Sequence, residues 1–552
     1  MDTLLIPAWI YRMLEILAQS DYAEFKLVVL NQPDQVKRGF WERVNNRLSY
    51  FLYENYRKID KSRFKAQPDA FEKKDAEVLL KEIPVLNVKP RQTRFSDYIE
   101  DTDIAEIEKY DVDVFIRLGF RILRGKILKA ARYGVWSYHH GDYREKRGGP
   151  AGFWEVMEND PVTGSILQIL TEDLDNGVVL FDSFSATHYI SVNLNMNNYY
   201  WKSLSFMPRK LKELHQLGGE VFFQKVAAKN SHPVFYSNRI YTAPKNNELI
   251  SSFLGYMGRY LKQKLVNLVM FEQWQLIYDL RDGISSSFWR YKKLAPPKDR
   301  FWADPFVVFR DQKYYVFFEE YEYKKKKGYI SVLTIDDKGN STPPVKVLER
   351  PYHLSYPYLF EYEGDLYMIP ESAENRTIEV YKCSRFPDQW EFHKIMMENV
   401  MAQDATLFFH NQKWWMFASM IEDVGASCSD ELFLFYADQP LADNWSPHPL
   451  NPICSDVRRA RPAGKIFDYN GNQYRPSQNS VKNYGRGMKI NQVLNLTEET
   501  FEEKEIGSIE PNWDKKVVGI HTLNFCERLS IADCLVRRPK YPRARKDNPV
   551  KP

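Results

Sequence analysis

The sequence predicts two folds in one chain: an α/β, Rossmann-type domain with a mostly parallel sheet, followed by an all-β five-bladed propeller. Three observations carry this. Apolar β-branched runs alternate with helical patterns over about the first two hundred residues. A strand-rich unit recurs through the C-terminal half. Phe, Tyr and Trp make up 15% of the chain, more than helices need and suited to paired strands.

With 552 residues and 44% apolar content, the chain is too long for one core and has enough apolar surface for several. The expected division is an α/β domain over residues 1–230, a helical linker over 231–287, the propeller over 288–540 and a basic tail over 541–552. The elements of the first domain follow in order. A helix runs to about residue 20, and the apolar run at 25–31 is a strand ended by the turn signal NQPD. A helix at 46–58, a short strand at 83–88 and the acidic helix DTDIAEIEKY come next. A strand at 112–118 stops at Gly119, a helix covers 123–132, and a strand at 135–138 delivers His139 at its carboxyl end. Folds of this kind keep their ligands there. A short helix at 152–158, a strand at 165–170 and the turn LDNG place Asp175 at a second strand end.

A carboxylate beside a histidine orients the imidazole and raises its basicity, as general-base work near neutral pH requires. The blander reading of YGVWSYHHGDYREKRGGPAGFW is a polar loop whose histidines satisfy buried hydrogen bonds. The larger pattern favours chemistry. Ser137-x-His139, Arg147-Gly148 eight residues after the histidine, TGxxLxxL, and Leu174-Asp175-x-Gly177 with 36 residues between His139 and Asp175 resemble the N10-formyltetrahydrofolate-dependent formyltransferases. The resemblance spans roughly residues 6–189. It implies N10-formyltetrahydrofolate as cofactor, His139 and Asp175 as the proton-handling pair, and Ser137 at the position of a carboxamide that donates to the developing oxyanion. It also implies that Arg147 and Gly148 shape the loop over the site. Ser137 departs from the family's Asn and offers one hydroxyl donor in its place. A second departure is that the family's first strand is almost absent. His140 is expected on the loop or against substrate.

The recurring unit of the second half appears as ADPFVVFRDQKYYVFFEE, YPYLFEYEGDLYMIPES, DATLFFHNQKWWMFAS and RPAGKIFDYNGNQYRPSQ, with a degenerate fifth copy GIHTLNFCERLSIADC. Its leading residues Asp304, Tyr356, Asp404, Arg461 and His521 are 52, 48, 57 and 60 apart. Repeats of that length built on a hairpin indicate propeller blades, with a β-sandwich as the alternative. The innermost strand of a blade starts near the axis, so Asp304, Asp404, Arg461 and His521 are expected to converge, with Glu371 close by. The region resembles the propellers of furanosidase-type glycoside hydrolases and, more closely, the propeller-like domain of plant glucosamine inositolphosphorylceramide transferases. The hydrolase resemblance implies an Asp base and a Glu acid, here Asp304 and Glu371, with Asp404 as an electrostatic partner.

A formal net charge of +4 gives no global signal for nucleic acid. The five cysteines form no CxxC pair and no zinc spacing, so no metal site is expected. Residues 249–271 read as an amphipathic helix whose Phe253, Met257, Leu261, Leu265 and Leu268 suit packing between domains. No run of 18 apolar residues is present and the N-terminus lacks the features of a signal peptide, so a soluble cytoplasmic protein without an integral membrane segment is expected. The combined expectation is formyl transfer to the amine of an amino sugar or amino-sugar glycan, with the propeller binding carbohydrate. The alternatives are a glycosidase or glycosyltransferase with the propeller as catalytic unit, and a non-catalytic carbohydrate-binding protein.

Overall fold

The computed structural model describes all residues except 33–39, 174–175, 424, 482–484 and 541–552. The chain divides into two units, Met1–Met257 with Asp423–Ser427, and Gly258–Glu422 with Cys428 onward.

In the first unit the sheet is mixed rather than mostly parallel. The strand Val135–His139 pairs in parallel with Phe115–Arg117 on one side and antiparallel with Val162–Ile169 on the other, and Val178–Ala186 closes that edge antiparallel. A second parallel pair, Val28–Asn31 with Val85–Val88, forms its own two-stranded sheet among the described residues. A cavity of about 510 Å³ lies next to both, lined by Val28 and Val29 on one side and Val114, Ile116 and Leu118 on the other. Met1 sits at the rim: its ammonium donates to the Val29 carbonyl at 2.7 Å, and its carbonyl accepts from the Asn31 N–H at 2.8 Å. The expected helix at 123–132 is instead a strand, Ile122–Arg124, followed by a 3-10 turn, Lys126–Lys129. Gly125, with φ 83° between them, breaks the helical path.

Strand alternation sets which side chains reach the core. Trp136 packs with Leu167 and Leu180 against the helices Ala8–Ala18 and Phe206–Lys229, in a cluster that includes Met13, Leu17 and Phe222. Val135 joins a different cluster, with Val88, Ile104 and Leu123. Ser137 and His139 therefore belong to the face opposite Trp136.

The second unit is a five-bladed propeller. Four blades are four-stranded antiparallel sheets that begin at Arg300, Ser355, Met401 and Phe467, the third extended by the short strand Cys454–Ser455. The fifth departs from expectation. Its repeat supplies Leu523–Cys526 and Leu529–Pro539, and the next strand is Met270–Leu280, which pairs with Leu529–Pro539 over eleven residues. That strand falls inside the expected 231–287 linker. The ring thus closes by joining chain from before the first repeat to the last repeat. The helix Asn246–Val269 precedes this strand directly. Leu261, Leu265 and Leu268 on it are 52%, 65% and 67% exposed. Arg537 and Arg538 pair with Glu272 and Phe271 in the same sheet.

Candidate functional sites in the two units

Adjacent strands place four polar side chains on one face of the first unit. Ser137 lies directly opposite Arg117 on one neighbouring strand and opposite Gln168 on the other, and His139, two residues on, shares that face. Arg117, Ser137, His139 and Gln168 line a cleft of about 190 Å³, which Asp173 and Gly177 border from the following turn. A Cβ on Gly177 would stand 2.5 Å from the Gln168 Oε1, so only glycine lets that turn lie so close to the carboxamide. Asp175 lies outside the described residues.

The hydroxyl of Ser137 is already engaged. It accepts from the Arg117 Nη1 at 3.1 Å and donates to the Tyr138 carbonyl at 3.2 Å. Arg117 also donates to the carbonyls of Phe120 and Arg121. Burial pushes its guanidinium below the usual arginine range. The guanidinium and the carboxamide can donate to a carbonyl, and the imidazole can take a proton. This set fits a formyl group and an attacking amine. The larger apolar cavity shares Arg117 and Leu123 with the cleft.

His140 is half-buried and does not share the cleft with His139. Alternation sends it to the face opposite His139, where its ring stacks on Tyr200 with centroids 3.7 Å apart and lies between Trp9, Tyr138 and Tyr199. Its Nε2 meets the Ser203 hydroxyl at 3.1 Å, and burial pushes its pKa down to about 3. It is a neutral, half-buried histidine packed among aromatic rings. Arg147 and Gly148 do not line the cleft. The Arg147 guanidinium covers the Tyr236 ring at 4.6 Å and donates to the Tyr143 carbonyl at 2.9 Å. Gly148, with φ 98°, bridges to Tyr241, whose carbonyl oxygen a Cβ would meet at 2.2 Å. These two residues fasten the loop to the 236–241 segment.

In the propeller, the backbone itself aims the leading residues inward. Asp304, Tyr356 and Asp404 have φ of 52°, 42° and 54°, and each lies where the register between the first two strands of its blade shifts. Such bulges turn a side chain out of the pleat. For Tyr356 the left-handed conformation costs on the order of 1–3 kcal/mol.

The side chains meet in two linked groups. His521 lies between two carboxylates, its Nε2 3.1 Å from the Asp304 Oδ1 and its Nδ1 2.8 Å from the Asp533 Oδ1. Asp304 also accepts from the Thr522 hydroxyl at 2.7 Å. Asp533 accepts the backbone N–H groups of Asp304, His521 and Thr522. In the second group Arg461 donates through Nε and Nη2 to both oxygens of Asp404 and through Nη2 to Glu371 at 3.2 Å. Gln478 donates to Asp404 at 2.8 Å. The Tyr356 hydroxyl meets Thr406 and accepts from the Gly464 N–H, joining the second, third and fourth blades.

Charge is unevenly distributed among these acids. Burial works to raise the Asp304 carboxyl, but His521 and Thr522 outweigh it and hold Asp304 below its ordinary value. Burial, reinforced by Asp304 and Glu371, pushes Glu319 well above the carboxylate range. Glu371 is raised in the same way despite Arg461. His521 is raised to about 10, because its two carboxylates outweigh the cost of burial. A pair of acids held in opposite protonation states is the arrangement acid–base chemistry on a glycoside uses. Asp304, His521 and Asp533 also have the donor types of a metal site, but the hydrogen bonds just described already satisfy them.

Sequence reasoning missed Arg117, Gln168, Thr522, Gln478 and Asp533. Arg117 carried a signal, a lone cation inside the apolar run DVFIRLG.

Comparison with known proteins adds to this geometry. Residues 292–520 match the family model "Glucosamine inositolphosphorylceramide transferase 1, N-terminal". Glucosamine inositolphosphorylceramide transferase 1 of Arabidopsis thaliana is 32% identical over 209 residues, covering 37% of this chain and 27% of that protein. The Oryza sativa subsp. japonica protein of the same name is 32% identical over 206 residues, with the same shares of 37% and 27%. The match therefore spans about a quarter of the plant proteins' length. Methionyl-tRNA formyltransferase of Prochlorococcus marinus (strain MIT 9215) is 24% identical over 152 residues, 24% of this chain and 46% of that protein. Among solved structures, an exo-1,5-alpha-L-arabinanase from a bovine ruminal metagenomic library is 18% identical over 44% of this chain and 92% of its own, at a TM-score of 0.31.

Proposed function

We propose that the first unit transfers a formyl group to the amine of an amino sugar or amino-sugar glycan and that the propeller binds carbohydrate. The observation that carries this reading is the row of Arg117, Ser137, His139 and Gln168 around one cleft, in the part of the chain that bears the Ser-x-His and LDNG motifs. The match to a formyltransferase supports it. The name of the plant relatives of the propeller supports an amino sugar as acceptor.

Bound N10-formyltetrahydrofolate would supply the formyl group, which would pass from the folate nitrogen to the acceptor amine in exchange for a proton of that amine. His139 takes that proton and returns it to the leaving nitrogen. Asp175 orients the imidazole in this reading. The donors facing the cleft stabilise charge that develops on the formyl oxygen, where the low-dielectric setting strengthens them. Incubation with N10-formyltetrahydrofolate and a panel of amino sugars and their nucleotide derivatives tests the reading by mass spectrometry. Gain of one formyl group by an amino sugar is the expected product, and no product together with no folate binding rejects it.

A second reading has one observation in its favour, the opposed protonation of Asp304 against Glu319 and Glu371. In it the propeller cleaves or transfers a glycosyl group, with Asp304 as base and Glu371 as acid. Release of sugar from a glycoside, lost in Asp304→Asn, decides for it.

A further inference from the structure

The family carboxamide is missing at Ser137, and the hydroxyl that replaces it spends its proton on the Tyr138 carbonyl. The cleft nevertheless holds a stronger donor. Arg117 stands directly across the parallel ladder from Ser137, with Nη1 3.1 Å from the hydroxyl. Its hydrogen bonds all go to neutral oxygens: the Phe120 and Arg121 carbonyls and the Ser137 hydroxyl. Among the described residues no carboxylate forms an ion pair with it. These four contacts leave one Nη1 hydrogen without a partner in the set.

The direct partners of this half-buried guanidinium are neutral, and the carboxylates of Asp2 and Asp97 act on it only through space; an anion or a developing negative charge in the cleft would complete it. The backbone carbonyls fix the fork, so the cation is oriented before any substrate arrives. Arginine also remains charged across the working pH range. The small side chain at Ser137 has a reason in the same geometry. With the hydroxyl already 3.1 Å from the Arg117 Nη1, a longer carboxamide would crowd the guanidinium.

We infer that Arg117 is the catalytic donor to the formyl oxygen, taking over the work of the absent carboxamide, with Ser137 as the positioning residue that keeps the guanidinium aimed. This rests on the formyl-transfer reading. The step is the one already written; Arg117 adds no covalent bond and moves no proton.

The test combines rate with a spectroscopic readout in the full chain. A non-reactive deazafolate analogue with an isotope-labelled formyl group is bound to the wild type, Arg117→Met, Arg117→Lys and Gln168→Leu, and the infrared carbonyl stretch is recorded. In the wild type the stretch falls to lower frequency, because the guanidinium polarises the bond. In Arg117→Met that shift vanishes and the formyl-transfer rate drops by about 10²–10³-fold, with KM for the amine little changed. Arg117→Lys keeps the charge without the fork and gives an intermediate shift, which preserves the test if the Met variant does not fold. Ser137→Asn lowers the rate when Arg117 is present and raises it in the Arg117→Met background. An unchanged stretch and rate in Arg117→Met, the same losses confined to Gln168→Leu, or a faster Ser137→Asn single variant overturns the inference alone. A wild type that neither binds the analogue nor transfers formyl overturns the formyl-transfer reading and this inference with it.

Discussion

The imidazole of His521 bridges Asp304 and Asp533, at 3.1 Å through Nε2 and 2.8 Å through Nδ1, inside the propeller. Buried carboxylates facing each other need a cation between them, and here it comes from the fifth blade. His521→Gln removes it. Near neutral pH the variant should lose about 3–5 kcal/mol, measured by denaturant unfolding. The pH dependence has a definite sign. The folded pKa of His521 is raised to about 10, so its contribution is full below the unfolded value of about 6.5, shrinks as pH rises and is gone above about 10. The stability gap between wild type and variant should narrow across that window, and a gap independent of pH would mean that His521 is neutral in the fold.

Arg461 neutralises the other half of the cluster by contacting Asp404 and Glu371. Arg461→Met leaves those acids without their cation and should cost about 3–5 kcal/mol. Arg461→Met combined with Asp404→Asn should recover a large part of the loss, because the uncompensated charge is removed with its partner. Two additive losses in a double-mutant cycle would contradict the coupling.

Asp304→Asn separates the two readings of the propeller. If the propeller binds sugar without cutting it, the variant weakens acceptor affinity and leaves formyl transfer to a small amine unchanged. If the propeller is the catalytic unit, it abolishes sugar release from a glycoside. Both assays on one preparation decide between them.

Ring closure predicts where a stable propeller begins. A fragment starting at residue 258 contains Met270–Leu280 and should unfold cooperatively. One starting at residue 288 lacks the strand paired with Leu529–Pro539 and should not. Thermal scans of the two fragments check this; equal cooperativity would contradict the fifth blade's composition.

The blades were legible in the sequence because each repeat places a turn between two apolar strands at nearly constant spacing. The fifth was legible only in part, because strand pairing is non-local and Met270–Leu280 resembles no repeat. Ser137 and His139 could be read as strand-end residues from the alternation of VWSYH, and the same alternation puts His140 on the opposite, aromatic face. That consequence lay in the sequence but was obscured by the adjacent histidines. The role of Arg147 and Gly148 was not legible, since their partners Tyr236 and Tyr241 lie some ninety residues away. Nor was the pairing of Arg117 with Ser137, which depends on parallel register between strands twenty residues apart. The expected helix at 123–132 failed at Gly125, where a positive φ overrides local helical propensity.

Formyl transfer by the first unit, as proposed, depends most directly on His139. The decisive measurement is the single-turnover rate of formyl transfer from N10-formyltetrahydrofolate to glucosamine or its nucleotide derivative, for the wild type and His139→Ala, with circular dichroism to show that both are folded. Formylated amino sugar is expected from the wild type, with a rate lower by about 10²–10⁴-fold in the variant. Equal rates in the two proteins, or no formylated product from a folded wild type that also fails to bind folate, would contradict it.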